Sequence, residues 1–239
     1  SDTSALDNLP TAYDYIRLGH PLSCVLEWTL ANLNHLKPNN AISFSSQTVP
    51  VLAILRTYLL ADKNTRIVYT GALPNAFDAE TLKHVYGYNF ELKQVENVAA
   101  ITEFDGSTIY ISQQKELWTV EQSSNIDFYV QTNPALGSVL LVNGHQNKGY
   151  ISDIQHVRRR ETIAMTPANA LTALKSLVIE QPIKAETFDV DANKSAVLAS
   201  IKAITNATTK ALVGSSGLSV QYAIMMGLID YAQEHHKGK

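Results

Sequence analysis

Residues 15–60 read YIRLGHPLSCVLEWTLANLNHLKPNNAISFSSQTVPVLAILRTYLL, and the reading of this stretch decides the fold. After Pro21, apolar residues at Leu22, Val25, Leu26, Leu30 and Leu33 keep the spacing of one helix face. Ala41, Ile42 and Phe44 then form a short apolar run, which predicts a strand that stops at the polar loop Ser45, Ser46, Gln47 and Thr48. A second helix is expected from Val49 to about Leu60. A strand that passes through small hydroxyl residues into a helix N-terminus presents backbone N–H groups and the positive end of a helix dipole, an arrangement suited to a phosphate or carboxylate. The same residues also suit plain capping of the second helix by Ser46 or Thr48 with no ligand at all.

Working outward, Thr65 to Thr70 is a β-rich run, Asn75 to Val85 returns to helical spacing, and Phe90, Leu92 and Val95 alternate as a strand. Asp105 and Gly106 mark a turn before a further strand over Thr108 to Ser112. Ile126 to Val130 and Ser138 to Val142 read as two more strands, and Thr166 and Pro167 start an amphipathic helix that runs to about Leu177. Strands alternating with helices predict an α/β fold, a three-layer sheet with helices on both faces. The expected organisation is an extended N-terminal arm over residues 1–14, a main α/β domain over 15–160, and a C-terminal helix with a small α/β cap over 161–239. Within that cap KAETFDVD from Lys184 reads as a strand, and Asn193 to Thr205 and Leu218 to Glu234 read as helices.

YIRLGHP, then LEWTLANL, then AISFSSQT resemble the Cys/Met-metabolism branch of the fold-type I pyridoxal-phosphate (PLP) enzymes, the cystathionine synthases and lyases. There the corresponding text is Y-x-R-x-G-N-P, L-E-x-x-L-A-x-L and A-x-x-F-S-S-G. The resemblance implies that Tyr15 and Arg17 reach across a homodimer interface to the cofactor phosphate of the neighbouring subunit. It likewise implies that Ser45, Ser46, Gln47 and Thr48 hold the phosphate. Gln47 stands in place of the family's glycine and brings a side chain into space that glycine leaves open. HVRRRETIAMTPANALTALKSL is similar to the family's R-x-x-x-G-x-x-x-S-P-x-x-A-x-L-L-x-R-G-L-K-T-L. The run Arg158, Arg159 and Arg160 within it reads as a solvated helix face.

The chemistry-bearing parts of the pattern are missing. The family's V-D-N-T strand, whose Asp pairs with the pyridine nitrogen, has no counterpart, and the ring-stacking Tyr has none in GALPN at 71–75. IDFYVQT resembles the strand before the Schiff-base lysine, but Asn133, Pro134 and Ala135 follow where S-A-T-K is expected. Without that amine no internal aldimine forms. ATTKALVGSSG offers a rearranged alternative, with Lys210 as the amine and Asp191 or Asp189 as the ring partner. Its helical periodicity instead reads as a lysine near a helix C-terminus, where the dipole favours a cation without chemistry.

Of the 239 residues 45% are hydrophobic and 17% charged, and the formal net charge is −3. This is an ordinary globular balance that gives no general attraction to nucleic acid or to anionic membranes. The single Cys24 forms no internal disulfide, and with no membrane-spanning run the chain reads as a cytoplasmic protein. The expectation is therefore a pseudoenzyme with a truncated PLP-transferase-like fold, free of cofactor, that serves as a structural or regulatory subunit bound to other proteins or to itself. The alternatives are a PLP-dependent C–S lyase or transferase, and a sugar-phosphate-binding module that uses SFSSQT.

Overall fold

The computed structural model describes residues 16–17, 19–113, 119–183 and 189–236. The expected arm over 1–14, Tyr15, and residues 184–188 of the expected KAETFDVD strand lie outside the described residues. The chain divides into two compact units, Ser1–Ile183 and Lys184–Lys239, so residues 161–183 fall in the first. In the first unit the elements are α1 (Pro21–Leu33), β1 (Ala41–Phe44), α2 (Val49–Leu60), β2 (Thr65–Thr70), α3 (Ala79–His84), β3 (Glu91–Gln94), β4 (Ser107–Gln113), β5 (Phe128–Asn133), β6 (Gly137–Val142), α4 (Ile151–Glu161) and α5 (Pro167–Ile179). Among the described residues the second unit contributes α6 (Val190–Thr205) and α7 (Gly217–His236). No helix among the described residues is long and apolar enough to cross a membrane.

The six strands form one mixed sheet in the order β1-β6-β5-β4-β2-β3. β3, β2, β4 and β5 run parallel, while β6 is antiparallel to both β5 and β1. Side chains alternate across this sheet as the period of two requires. Ile42, Phe44, Ile67, Ile109, Phe128 and Leu140 face one helical layer built from α2, α3 and α4. Ala41, Val68, Tyr110, Tyr129, Val139 and Leu141 face the other, built from α1 and α5. The expected three-layer α/β architecture, with helices on both faces, is the one observed.

Helix ends follow local chemistry. α1 starts at a capping box in which the His20 ring accepts from the backbone N–H of Ser23 while the Ser23 side chain accepts from the N–H of His20. His20 stands where the resembled motif has Asn, and its other ring nitrogen, Nε2, lies 2.7 Å from the carbonyl of Met165. Since that carbonyl only accepts, Nε2 is the donor, and the His20 ring ties α1 to the segment that leads into α5. The helix expected over Asn75 to Val85 is shorter than its periodicity suggests. The Asp78 carboxylate accepts from the N–H groups of Glu80 and Thr81, which fixes the start of α3 at Ala79.

Among the described residues β1 lies at the end of the sheet, with one backbone edge unpaired by another strand. Side chains cover that edge. Glu27 Oε1 accepts from Ser43 N–H at 2.8 Å, from the Ser43 hydroxyl at 2.7 Å and from Arg158 Nη1 at 2.6 Å. The same Arg158 nitrogen donates to the Ser43 carbonyl at 3.1 Å, and Ser45 N–H donates to the carbonyl of Ile163. Glu27 comes from α1 and Arg158 from α4, so helices from opposite faces meet at the edge. The expected solvated arginine run is thereby corrected: Arg158 is 5% exposed, because the edge carbonyl and the Glu27 carboxylate need a donor that only a buried guanidinium supplies here. Arg160 alone of the three is exposed.

Removing one partner of a buried, hydrogen-bonded ion pair strands the other charge and costs about 3–5 kcal/mol, whereas replacing both with apolar groups is far milder. Glu27→Ala and Arg158→Ala are each expected to lower the unfolding free energy by about that amount in a urea titration, and the double replacement Glu27→Leu/Arg158→Met by much less than the sum of the two.

Candidate functional site

β1 runs parallel to β5 through their shared antiparallel neighbour β6, so the carboxyl ends of β1, β2, β4 and β5 all point to one edge of the sheet. In open α/β sheets that edge is where ligands bind. Two connections meet there: the Ser45–Thr48 loop between β1 and α2, and the three-residue turn Pro134, Ala135 and Leu136 between β5 and β6.

The loop's hydroxyls are used within the protein. Ser46 Oγ accepts from the N–H groups of Thr48 and Val49, both at 3.2 Å, and so caps α2. Thr48 is the residue at the helix boundary but makes no side-chain cap bond. The Ser45 hydroxyl lies 2.9 Å from that of Thr162, and the Ser138 hydroxyl donates to the Ser46 carbonyl. The turn after β5 is equally self-contained. Asn133 Oδ1 accepts from Ala135 and Leu136 N–H at 2.9 and 3.1 Å, and the Asn169 amide from α5 donates to the carbonyls of the same two residues. Gly137 follows at φ +114°, where an added Cβ would lie 2.3 Å from the carbonyl oxygen of Phe44. Only glycine allows the turn to press this closely on the loop.

Beside Thr48 a cavity of about 190 Å³ opens between α2 and α3, walled mainly by Val51, Leu52, Phe77, Leu82 and Tyr86. Asp78 and Thr81 stand at its polar side, and Thr81 donates to the Asp78 carboxylate. That hydroxyl bond, together with the backbone N–H groups the carboxylate accepts, holds Asp78 below the usual carboxylate range.

Sequence-expected residues fall in three places. Ser45, Ser46, Gln47 and Thr48 form one loop at the carboxyl edge. Arg17 is half-buried in the turn before α1, and Tyr15 lies outside the described residues. Lys210 and Asp191 belong to the second unit. The expected helix around Lys210 is corrected there: α6 ends at Thr205 with Asn206 in the left-handed conformation, so Lys210 sits in the exposed loop beyond it. The expected strand position of Asp189 and Asp191 is corrected too, since Asp189 caps α6 through Ala192 N–H and Asp191 lies in its first turn. Two residues that shape the edge, Glu27 and Arg158, went unread as a pair because 131 positions separate them.

Among the described residues, the groups at this edge do not fit PLP in its usual covalent form. β4 pairs directly with β5 from Ile109↔Phe128 to Gln113↔Thr132, which leaves no room for a strand bearing a ring-nitrogen acid between them. The turn after β5 supplies hydroxyl, amide and backbone groups and no amine.

No protein-family profile matches the chain, and no curated protein matches it in sequence. Solved structures that it is similar to include PLP-dependent fold-type I enzymes, the family its motifs resemble. They include MetB from Corynebacterium glutamicum, at 17% identity and a TM-score of 0.43, over 75% of this chain and 57% of that one. Bna3p from Saccharomyces cerevisiae, assigned as a kynurenine aminotransferase, matches at 13% identity and a TM-score of 0.44, over 84% of this chain and 64% of that one. MetY from Campylobacter jejuni, assigned as an O-acetylhomoserine (thiol)-lyase, matches at 14% identity and a TM-score of 0.38, with 75% and 64% covered. The chain thus spans less than two-thirds of the length of each.

Ser46→Ala is expected to lower stability by about 1 kcal/mol through loss of the cap on α2, and Thr48→Ala to change it by less than about 0.5 kcal/mol. Paired urea titrations of the two variants check the assignment of the cap to Ser46.

Proposed function

We propose that this chain is a catalytically degenerate PLP-transferase-like protein that acts as a structural or regulatory, protein-binding subunit in the cytoplasm. The observation that carries this reading is the direct pairing of β4 with β5, followed by a lysine-free turn that Asn133 and Asn169 hold closed. Together they remove both the place for a ring-nitrogen acid and the place for a Schiff-base amine. Ser45, Ser46, Gln47 and Thr48, with Arg17 and Tyr15, are on this reading an inherited phosphate loop turned to framework.

Surface composition supports a binding role. Trp28 is 57% exposed and Val25 51% exposed on α1, and Val178 and Ile179 are exposed at the end of α5. Tryptophan is among the side chains from which protein interfaces draw most energy, and exposed apolar groups beside it mark a surface suited to association. A single half-buried, unpaired Cys24 is compatible with a reducing compartment. The sugar-phosphate alternative is weaker on the same ground: the cavity beside Thr48 has an apolar wall, whereas sugar hydroxyls withdrawn from water need partners.

Purified protein incubated with excess PLP and passed over a desalting column is expected to emerge colourless, and borohydride treatment to add no pyridoxyl mass to any peptide. A stable visible absorbance band, or a pyridoxyl-lysine in the peptide map, would overturn the reading in favour of the C–S lyase or transferase alternative.

A further inference from the structure

The second unit, Lys184–Lys239, has no interior of its own among its described residues: no described side chain of α6 or α7 is buried. Isolated helices of this length draw most of their stability from packing an apolar face, so α7 needs a surface to lie against. Its sequence indicates what kind. Leu218, Met225 and Ala232 recur at seven-residue intervals, Gln221 and Leu228 fall at the intermediate step, and Ile224, Ile229 and Tyr231 flank that seam. This is the spacing by which one helix interdigitates with another. The charged Asp230 and Glu234 fall on the opposite side of the helical repeat. The seam is a shallow groove of about 410 Å³ formed by Gln221, Ile224, Met225, Leu228, Ile229 and Ala232.

We infer that α7 is a homodimerisation element, its seam packing against α7 of a second copy of this chain about a two-fold axis. Three properties favour a second copy. The seam has no Lys, Arg, Asp or Glu that would call for a partner of opposite charge. A helical stripe of this kind is self-complementary, which a two-fold interface requires. Its area also fits. Leu218, Ile224, Met225, Leu228, Ile229 and Tyr231 are 42–63% exposed. At roughly 80–100 Å² each they offer about 500–600 Å² per copy. The two faces together, about 1,000–1,200 Å², reach the roughly 1,000 Å² total that a specific interface needs. Gln221, a polar group at a seam position, fixes the register as buried amides do in coiled coils. The inference concerns the second unit alone and holds whether or not the first binds a cofactor.

Light scattering coupled to gel filtration of the full chain tests it. The wild type is expected at twice its 26.3 kDa mass. Met225→Glu/Leu228→Glu is expected to elute as a monomer with an unchanged far-ultraviolet circular dichroism spectrum, and Val25→Glu/Trp28→Glu in α1 to remain dimeric. A monomeric wild type, a dimer that survives the α7 substitutions, or a dimer abolished by the α1 substitutions overturns the proposal. Should the α7 double variant lose its helical spectrum, Met225→Cys in a Cys24→Ser background decides the matter. Met225 is the midpoint of the seam and meets its own counterpart in either helix orientation, so mild oxidation is expected to yield a disulfide-linked dimer, and failure to form one overturns the proposal.

Discussion

One carboxylate oxygen holds the edge of this sheet together. Glu27 Oε1 gathers the backbone N–H and hydroxyl of Ser43 and the guanidinium of Arg158, while Arg158 also serves the Ser43 carbonyl. An exposed strand edge invites pairing with other chains, and here its polar groups are met by side chains instead. Taking two charges out of water is expensive, and the arrangement is stable only because several charge-assisted hydrogen bonds converge on the pair. Since Glu27 lies on one helical layer and Arg158 on the other, the pair also fixes where both layers stand relative to β1. The position of the Ser45–Thr48 loop, one residue beyond β1, follows from that clamp and requires no ligand.

The loop spends its polar groups inside the protein. Ser46 spends its hydroxyl on capping α2, and its carbonyl receives Ser138. Gly137 lets the β5–β6 turn close onto Phe44 and Ser45 at a distance no side chain would tolerate. Hydroxyls, amides and a close backbone approach are what remain at the carboxyl edge, and they rigidify the edge more than they present it to a ligand. β4 contacts β5 directly, and on the proposed reading this leaves no position from which an acid would face a pyridine ring. The apolar side chains left outside, on α1 and along α7, direct attention from chemistry to association.

Much of the framework was legible because periodicity is local. β1, α2 and β2 fall where the apolar runs of Ala41 to Phe44, Val49 to Leu60 and Thr65 to Thr70 place them. That Asn133, Pro134 and Ala135 follow IDFYVQT, with no lysine among them, is read from the sequence itself. What escaped was non-local or competitive. Arg158 looks solvated beside Arg159 and Arg160 because nothing adjacent in sequence tells which of three arginines meets a carboxylate on another helix. The helix expected from Asn75 starts later because the Asp78 side chain outcompetes continued periodicity. Ser46 and Thr48 were equal candidates for the cap by type, and only the backbone path of the loop selects Ser46. The antiparallel insertion of β6 between β1 and β5 is likewise a property of pairing, which a single strand's composition does not encode.

Whether the sheet lacks a strand between β4 and β5 is the point on which the functional reading turns. Cross-strand nuclear Overhauser effects in isotope-labelled protein measure it directly. The pairing predicts backbone contacts between Ile109 and Phe128, Tyr110 and Tyr129, and Ile111 and Val130 in parallel register. Contacts from β4 to some other segment, with β5 one strand further away, would contradict it and restore a place for the missing acid.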